Sequence, residues 1–388
     1  MSVLGTYDVV IIGGGACGCS TAYMLCREGL SVAMVDKGPI AREASWASAG
    51  MIGPCACTDR DPWFLEASTR SAQLYDQLND ELFELTGQHI GLGGAGEIVY
   101  VDREEDFPEF DKKIRIQAQA GVETVMMDGT EARERESALP NTVLKAACKP
   151  RGRFLDARTY TQVIGQAAQQ LGAVVQEDSP VTGLVRSKNR IIGVLLGNDE
   201  IHTETVINAA GAWAGRIDPV LTHPVQPLHG QIMSVQGPPC GLRHNVSQAT
   251  EWGYCTPRAD GRIVVGATHD DFEFHKKLTP DGLRYISALA ARVLPILANQ
   301  PVLDIWSGLR PNTPDGLPSV GTDSRAGDGY LWATGHGSSG MMQIPATAAV
   351  LCDLVAGRPP CIAIDQLSIE RYFRDEPLKT RDAWHRFM

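Results

Sequence analysis

The segment of residues 7–36 constrains the fold of this chain more than any other stretch of its sequence. Its apolar run at residues 9–12 is too short for a helix and stops at glycines, so it predicts a buried strand of a parallel sheet. Gly13, Gly15 and Gly18 follow in the spacing of a dinucleotide-binding turn. In such a turn the first glycine permits the sharp bend, the second lets backbone approach a pyrophosphate, and the third lets helix and strand meet closely.

The residues after this turn complete a strand, helix and strand unit. A helix is predicted over residues 16–28, and its N-terminal amides and dipole are suited to hold a phosphate. A second strand over residues 31–35 ends at Asp36, where a carboxylate can accept hydrogen bonds from ribose hydroxyls. The complete unit is far more specific than its glycines alone, and it predicts a nucleotide site rather than a simple glycine-rich turn.

Length and composition narrow the class of protein. The chain has 388 residues, which is too long for one typical core and favours two domains. Its 43% hydrophobic and 21% charged residues are typical of a globular protein. A net charge of −11 without a basic stripe argues against nucleic acid and anionic membrane as partners. No apolar run is long enough for a membrane span and no secretion signal is evident, so we expect a cytoplasmic location. A homo-oligomer stays open at this point.

Cysteine and histidine spacing gives little support for a metal. Ten cysteines are scattered along the chain, and a reducing compartment would keep them as thiols. The close pairs Cys17/Cys19 and Cys55/Cys57 lack the two-residue gap of zinc knuckles, so no metal site is expected. Residues 269–275 contain two histidines and two adjacent aspartates, and here the pattern favours a solvated turn before a helix.

The remaining periodicity predicts an α/β protein with a second, α+β domain. Apolar spacing indicates helices over residues 62–85 and 156–171, and a third helix that is capped by Thr279, begins at Pro280 and is stopped by Pro295. Strand signals at residues 225–235, 253–257 and 263–267 suit an antiparallel sheet of a substrate-binding domain. We therefore expect a Rossmann-like domain made of residues 1–88, 145–222 and 300–388, with residues 89–144 and 223–299 forming the substrate domain.

Several segments together resemble the D-amino-acid oxidase family of flavoenzymes, and within that family the glycine oxidases. They span nearly the whole chain in order: Val-Ile-Ile-Gly-Gly-Gly at 10–15, Ala-Gly-Met-Ile-Gly at 49–53, Asn-Ala-Ala-Gly-Ala-Trp at 208–213, residues 224–231, 254–258 and 262–267, Ser-Gly-Leu-Arg-Pro-Asn-Thr-Pro-Asp-Gly-Leu-Pro at 307–318 and Ala-Thr-Gly-His at 333–336. This resemblance implies an FAD-binding fold of the Rossmann type with an antiparallel-sheet substrate domain, and thiamine biosynthesis as the associated pathway.

The resemblance also implies where FAD lies. The pyrophosphate is expected at Gly13, Gly14, Gly15, Ala16 and Gly18, the ribose at Asp36 with Lys37 beside it, and the adenine near Val181. The isoalloxazine is expected between Ala44, Ser45, Ala49, Gly50 and Met51 on one side and His336, Gly337, Ser338, Ser339, Gly340, Met341 and Met342 on the other, with Ala210 and Gly211 as further contacts. Relatives with covalent flavin use a cysteine or histidine that this chain lacks at the matching positions, so FAD is expected to be noncovalent.

Two residues are the candidates for substrate binding. Arg310 matches the family arginine that pairs with the substrate carboxylate. The role suits this residue type, because a planar guanidinium binds a carboxylate through two hydrogen bonds. Tyr254 matches a tyrosine whose hydroxyl can bond the same carboxylate. This chain departs from the glycine oxidase pattern at Ser338, where a second arginine is expected, and at Trp252, where a histidine is expected. The pocket is therefore predicted to prefer a different amino acid, bulkier or N-substituted.

The resemblance implies oxidation of a small amino acid such as glycine, sarcosine or a D-amino acid, by hydride transfer to the flavin with O2 as the acceptor. Two alternatives stay open at this point. One is a dehydrogenase of the same fold that passes electrons to a quinone or carrier. The other is a noncatalytic flavin-binding protein, against which the polar pocket residues argue.

Overall fold

The computed structural model describes residues 2–54, 62–188 and 190–374, and helices pack on two large sheets. The strands are β1 (Val3–Ile12), β2 (Val32–Val35), β3 (Met51–Ile52), β4 (Glu97–Val101), β5 (Val125–Asp128), β6 (Lys145–Lys149), β7 (Arg153–Phe154), β8 (Val174–Gln176), β9 (Gly183–Ser187), β10 (Arg190–Leu196), β11 (Asp199–Asn208), β12 (Gln226–Gln236), β13 (Asn245–Gln248), β14 (Tyr254–Pro257), β15 (Arg262–Gly266), β16 (Val302–Asn312), β17 (Ser319–Thr322) and β18 (Tyr330–Thr334). The helices are α1 (Ala16–Arg27), α2 (Ala44–Ala47), α3 (Pro62–Thr86), α4 (Phe107–Gln119), α5 (Gly129–Arg135), α6 (Ala157–Gln170), α7 (Pro280–Val293) and α8 (Gly340–Val355).

The first sheet is the predicted Rossmann-type sheet. Its strands follow the order β17-β18-β11-β1-β2-β8, and β9 and β10 extend it from β11. The pairs β18/β11, β11/β1, β1/β2 and β2/β8 are all parallel. Helices α1, α3, α6 and α8 pack together over one of its faces, around a core that includes Tyr23, Trp63 and Tyr160. The carboxyl ends of β1, β2, β11 and β18 therefore meet at one edge of the sheet.

The second sheet contains the strands predicted for the substrate domain. Its order is β16-β12-β15-β14-β13-β4-β6-β5, and all its pairs are antiparallel except β13/β4. Helix α7 covers it, and the Thr279 side chain caps this helix by accepting a hydrogen bond from the amide of Gly282. The α/β architecture with a largely antiparallel second sheet is confirmed. Strands β6 and β16 pair in this sheet although the sequence placed residues 145–149 and 302–312 in the nucleotide domain; the domain division itself stays a prediction.

Helix α1 lies unusually close to strand β1. A Cβ atom added to Gly18 would stand 1.9 Å from the carbonyl oxygen of Gly13, a distance that no side chain tolerates. Gly13 itself has a φ of 108°, in the region that favours glycine. Both glycines thus have the structural reasons that the sequence predicts for them, and the helix begins at the carboxyl end of β1.

None of the helices in the described ranges is long and apolar enough to cross a membrane.

Gly18→Ala is expected to lower the free energy of unfolding by about 1 to 3 kcal/mol, the usual cost of overpacking. This sign is diagnostic, because alanine in place of glycine inside a helix normally stabilises by about 1 kcal/mol. Gly38→Ala is the matched control, since a Cβ there meets nothing within 4 Å. Denaturant unfolding of both variants with saturating FAD measures the difference, and equal stability of the two variants would refute the close approach.

Candidate active site

A cavity of about 570 Å³ lies between the carboxyl edge of the first sheet and the second sheet. The ends of β1, β2, β11 and β18 contribute Gly13, Asp36, Ala210 and Thr334 to its wall. Strands β12, β14 and β16 of the second sheet close the opposite side. A crevice outside the carboxyl ends of parallel strands is the usual ligand site of such sheets. The topology therefore brings the predicted site segments together.

Most of the predicted site residues line this cavity. They are Gly13, Gly15, Ala16, Asp36, Lys37, Ala44, Ser45, Ala49, Gly50, Met51, Val181, Ala210, Gly211, Tyr254, Arg310, His336, Gly337, Ser338, Ser339, Gly340, Met341 and Met342. The two exceptions are Gly14 and Gly18, which lie behind the wall. The amide of Gly14 donates to Asp36 Oδ2 at 2.6 Å, and Gly18 packs against β1. Their contribution is to shape the turn, and the ligand contacts of the others stay predictions.

The N-terminus of α1 offers room for an anion. A Cβ added to Gly15 would meet only Ser45 Oγ, at 3.4 Å, so the space beyond Gly15 opens into the cavity. The first turn of α1 holds no acidic residue, and the Ala16 amide donates to Ser45 Oγ at 2.8 Å. Helix dipole and amides make this end favourable for a phosphate. The space that a Cβ would fill is where the sequence expects the pyrophosphate.

Asp36 is held in place for contact with a polyol. Its Oδ2 accepts from the amide of Gly14 and its Oδ1 from the amide of Gly38 at 3.0 Å. Burial raises its pKa, which these two hydrogen bonds oppose. Each carboxylate oxygen has a further lone pair for a ligand hydroxyl. This geometry suits the ribose contact that the sequence predicts.

The loop of residues 44–51 is braced from behind. The Trp306 indole N–H donates to the carbonyl of Ala47 at 3.1 Å, and Arg258 Nη2 donates to the carbonyl of Ala49 at 2.6 Å. Gly50 has a φ of 64°, and a Cβ there would stand 2.1 Å from the Leu155 carbonyl oxygen. The second sheet thus fixes a wall whose backbone faces the cavity.

The opposite wall is the turn that leads into α8. His336 Nε2 pairs with Thr347 Oγ1 at 3.0 Å, and burial lowers the pKa of this histidine to about 4. The ring is therefore neutral at physiological pH and carries no charge to the cavity. Ser338, which occupies the position of the expected second arginine, is exposed at the cavity rim. The wall around this turn is uncharged.

Arg310 reaches the cavity from β16. Its Nη1 donates to two backbone carbonyls, those of His229 at 3.3 Å and Thr268 at 3.2 Å. Among the described residues no carboxylate pairs with its guanidinium. Burial lowers its pKa, but an arginine stays charged even so. The site therefore holds a cation whose remaining N–H groups are available to an anion.

Tyr254 lies beside this cation on β14. It packs with Ile232 and Trp306, and burial raises the pKa of its phenol. The hydroxyl therefore stays protonated and able to donate at neutral pH. The two residues predicted for substrate binding line the same cavity.

Trp252 does not line the cavity. Its indole N–H donates to Nδ1 of His269 at 2.6 Å, and burial lowers the pKa of His269 to about 3. The solvated turn predicted for residues 269–275 is wrong in its first part, because His269 and Asp270 are half-buried, whereas Asp271 and His275 are exposed. The sequence pattern shows polar residue types there but not the strands that pack against them.

Sequence reasoning missed several residues of the cavity wall. Trp213 and Arg216 follow β11, and Lys37 Nζ lies 3.2 Å from the Trp213 ring centroid, a cation–π contact. Gly230 was also missed: a Cβ there would stand 2.3 Å from Arg310 Nη1. A glycine inside a strand is a signal for close approach, and Gly230 also lies in the segment of residues 224–231 that resembles the family.

The described residues hold no group of three or more metal-ligating side chains. Cys17 and Cys19 are buried in α1, and Cys55 and Cys57 lie outside the described residues.

Comparison with known proteins points to one family. A family model described as DAO, FAD dependent oxidoreductase, matches residues 8–354. A glycine oxidase of Pseudomonas aeruginosa is 30% identical over 365 residues, covering 91% of this chain and 96% of the relative. The crystal structure of glycine oxidase from Geobacillus kaustophilus superposes with a TM-score of 0.87 at 27% identity, covering 94% of this chain and 98% of that one.

A bifunctional protein ThiO/ThiG of Trichormus variabilis is 31% identical over 356 residues, which is 90% of this chain and 53% of the relative. The chain thus spans about half the length of this bifunctional protein, and most of the length of the two glycine oxidases. The family and FAD as its cofactor, both expected from the sequence, are confirmed by these matches. Noncovalent attachment stays a prediction.

Gly15→Val is expected to abolish FAD retention while leaving the fold intact. FAD should be lost because the valine side chain would fill the space at the start of α1 where the pyrophosphate is expected. The fold should persist because the nearest protein atom to an added Cβ is Ser45 Oγ, at 3.4 Å. Gly38→Val is the control, because Gly38 lies outside the cavity wall, a Cβ there meets nothing within 4 Å, and valine keeps the backbone amide that donates to Asp36. The measurement is the FAD-to-protein ratio after purification, with circular dichroism for the fold. Full FAD occupancy in Gly15→Val would place the pyrophosphate elsewhere.

Proposed function

Because this chain belongs to the DAO family of FAD-dependent oxidoreductases and is an amino acid oxidoreductase, we propose that it oxidises a small amino acid with O2 as acceptor. The substrate is of the glycine, sarcosine or D-amino acid type, and the products are an oxo acid, the amine or ammonia, and hydrogen peroxide. The observation that carries this proposal is Arg310, a charged guanidinium at the cavity wall whose hydrogen bonds, within the part of the chain that the structure describes, go to backbone carbonyls.

The cofactor and the protein divide the work. When bound, FAD supplies the two-electron oxidation of the carbon that carries the amine. The chain supplies position and electrostatics, so this chemistry requires no Ser-His-Asp triad and no pair of catalytic carboxylates. Gly15 and the first amides of α1 would hold the pyrophosphate, Asp36 the ribose, and the loop of residues 44–51 with the turn before α8 would enclose the ring. These roles are supported by the position of these residues and segments in the wall of the same cavity.

Arg310 gives the cavity its preference for a carboxylate. Water is largely displaced from an enclosed site, so a carboxylate there gains more from a fixed guanidinium than it would in solution. Tyr254 adds a hydroxyl donor beside it. A substrate held by both groups has its carboxylate fixed and its amine-bearing carbon turned toward the centre of the cavity. This orientation is what removes most of the entropic cost of the reaction.

Of the two departures from the glycine oxidase pattern, the one at Ser338 supports a different substrate preference. Ser338 brings no second charge, and it leaves exposed space at the cavity rim. Trp252 packs against His269 instead of facing the cavity. We therefore propose that the preferred amino acid is bulkier than glycine or carries an N-substituent. Oxygen as acceptor is supported by the names of the glycine oxidase relatives, and the cytoplasmic location rests on the sequence alone.

Arg310→Ala is expected to bind FAD normally and to lose about 10- to 150-fold in kcat/KM toward amino acids. The reason is that a charge-assisted hydrogen bond contributes about 1.5 to 3 kcal/mol. Arg310→Lys should recover part of this loss, because an ammonium keeps the charge but not the planar fork. Steady-state kinetics with glycine, sarcosine, D-alanine and D-proline measures the effect.

Pyrrolidine is the matched control for D-proline, because it differs only by the carboxylate. The variant and the wild-type enzyme should oxidise pyrrolidine equally poorly. If Arg310→Ala kept wild-type efficiency on the amino acids, or if pyrrolidine were the better substrate of the wild type, the carboxylate-binding role would have to be given up.

A further inference from the structure

We propose that Asp270 is the positioning residue of Arg310: its carboxylate fixes the two carbonyls that hold the guanidinium and balances its charge without touching it. The inference rests on the proposed function, since it assumes that Arg310 binds the substrate carboxylate. It adds a residue that the sequence pattern placed in a solvated turn.

The first observation is the way in which Arg310 is held. Its Nη1 donates to the carbonyls of His229 and Thr268, which belong to two neighbouring segments. Those segments are joined by Asp270, whose amide donates to the His229 carbonyl at 3.0 Å and whose carbonyl accepts from the His229 amide at 3.1 Å. The acceptors of the guanidinium therefore lie on a short backbone bridge that includes Asp270.

The second observation is the convergence of side chains on one carboxylate oxygen. Asp270 Oδ2 accepts hydrogen bonds from His229 Nδ1 at 3.1 Å, from Gln231 Nε2 at 3.1 Å and from Thr268 Oγ1. Two of these donors, His229 and Thr268, are the residues whose carbonyls bind Arg310. Movement of the Asp270 side chain would therefore move both acceptors of the guanidinium.

The third observation concerns charge. The amide of Lys277 donates to His229 Nε2 at 3.2 Å, so this nitrogen is an acceptor and the proton of the ring lies on Nδ1. Burial disfavours the charged form of Asp270, but the hydrogen bonds from His229, Thr268 and Gln231 outweigh it and lower its pKa to about 2. Asp270 is thus an anion close to the Arg310 cation.

The site needs a negative charge near Arg310 that does not occupy its N–H groups, and Asp270 is close to Arg310 without bonding to it. A carboxylate bonded directly to Arg310 would occupy the N–H groups that a substrate carboxylate needs. A guanidinium with no anion nearby would be costly to bury. Asp270 supplies the negative charge. Because Thr268 and His229 lie between it and Arg310, the N–H groups on the cavity side of the guanidinium stay available to a substrate. Gly230 completes the arrangement, because its missing side chain gives the guanidinium its space.

The network is also tied to the body of the second sheet. Gln231 is fully buried, and its Oε1 accepts from the amide of Thr279 at 2.7 Å, the residue that caps α7. The Gln231 amide itself donates to Thr268 Oγ1 at 2.9 Å. The carboxylate of Asp270 is therefore anchored on a strand and a helix end, which are rigid elements.

The experiment compares Asp270→Asn with Asp271→Asn in the FAD-loaded enzyme. Asparagine keeps an acceptor oxygen of the same size but removes the charge, and Asp271 is the exposed neighbour that serves as the matched control. Acetate is the probe for the carboxylate site, with binding followed by the flavin absorbance. Asp270→Asn is expected to raise the acetate Kd and the KM for D-proline about tenfold, with a much smaller change in kcat. FAD content and Tm should stay near the wild-type values.

An unchanged acetate Kd in Asp270→Asn, or the same change in Asp271→Asn, overturns the inference. If Asp270→Asn does not fold, Thr268→Val removes one donor to the carboxylate and should weaken acetate binding, while Thr268→Ser should restore it; equal weakening by both overturns the inference. If wild type and Arg310→Ala bind acetate equally, the carboxylate-binding role of Arg310 fails and the inference fails with it.

Discussion

The close approach of α1 to β1 is the constraint on which the site depends. Because Gly18 lets the helix lie against Gly13, the N-terminus of α1 points into the edge where β1, β2, β11 and β18 end. The loops that follow these four strands all contribute residues to the wall of the cavity. A phosphate bound at the helix start would therefore lie near Asp36, which follows β2, and near the turn that leads into α8.

The second sheet contributes the buried guanidinium of Arg310 to the cavity. Strands β12 and β16 bring Arg310 to the cavity, and the carbonyls of His229 and Thr268 bind it from behind. The same sheet braces the cofactor side through Trp306 and Arg258, which hold the loop of residues 44–51. In the proposed function, this wall would orient the substrate and support the surface against which the cofactor ring would lie.

Local signals were enough to predict the parts of this structure that are encoded locally. The strand, turn and helix around Gly13 and the cap at Thr279 depend on neighbours in the chain, and both were predicted near their observed bounds. Short strands such as β5 and β13 were missed, because their positions are set by pairing with distant segments. The burial of Asp270 was missed for the same reason: its donors come from other segments, and no spacing in the sequence reports them.

The most direct test of the account is the absorbance spectrum of the purified, FAD-loaded protein under anaerobic conditions with glycine, sarcosine, D-alanine and D-proline. The account predicts that at least one of them bleaches the flavin and that the colour returns rapidly when air is admitted. Flavin that dithionite reduces but none of these amino acids bleaches would contradict amino acid oxidation as the activity. Bleaching followed by slow recovery in air would contradict oxygen as the acceptor.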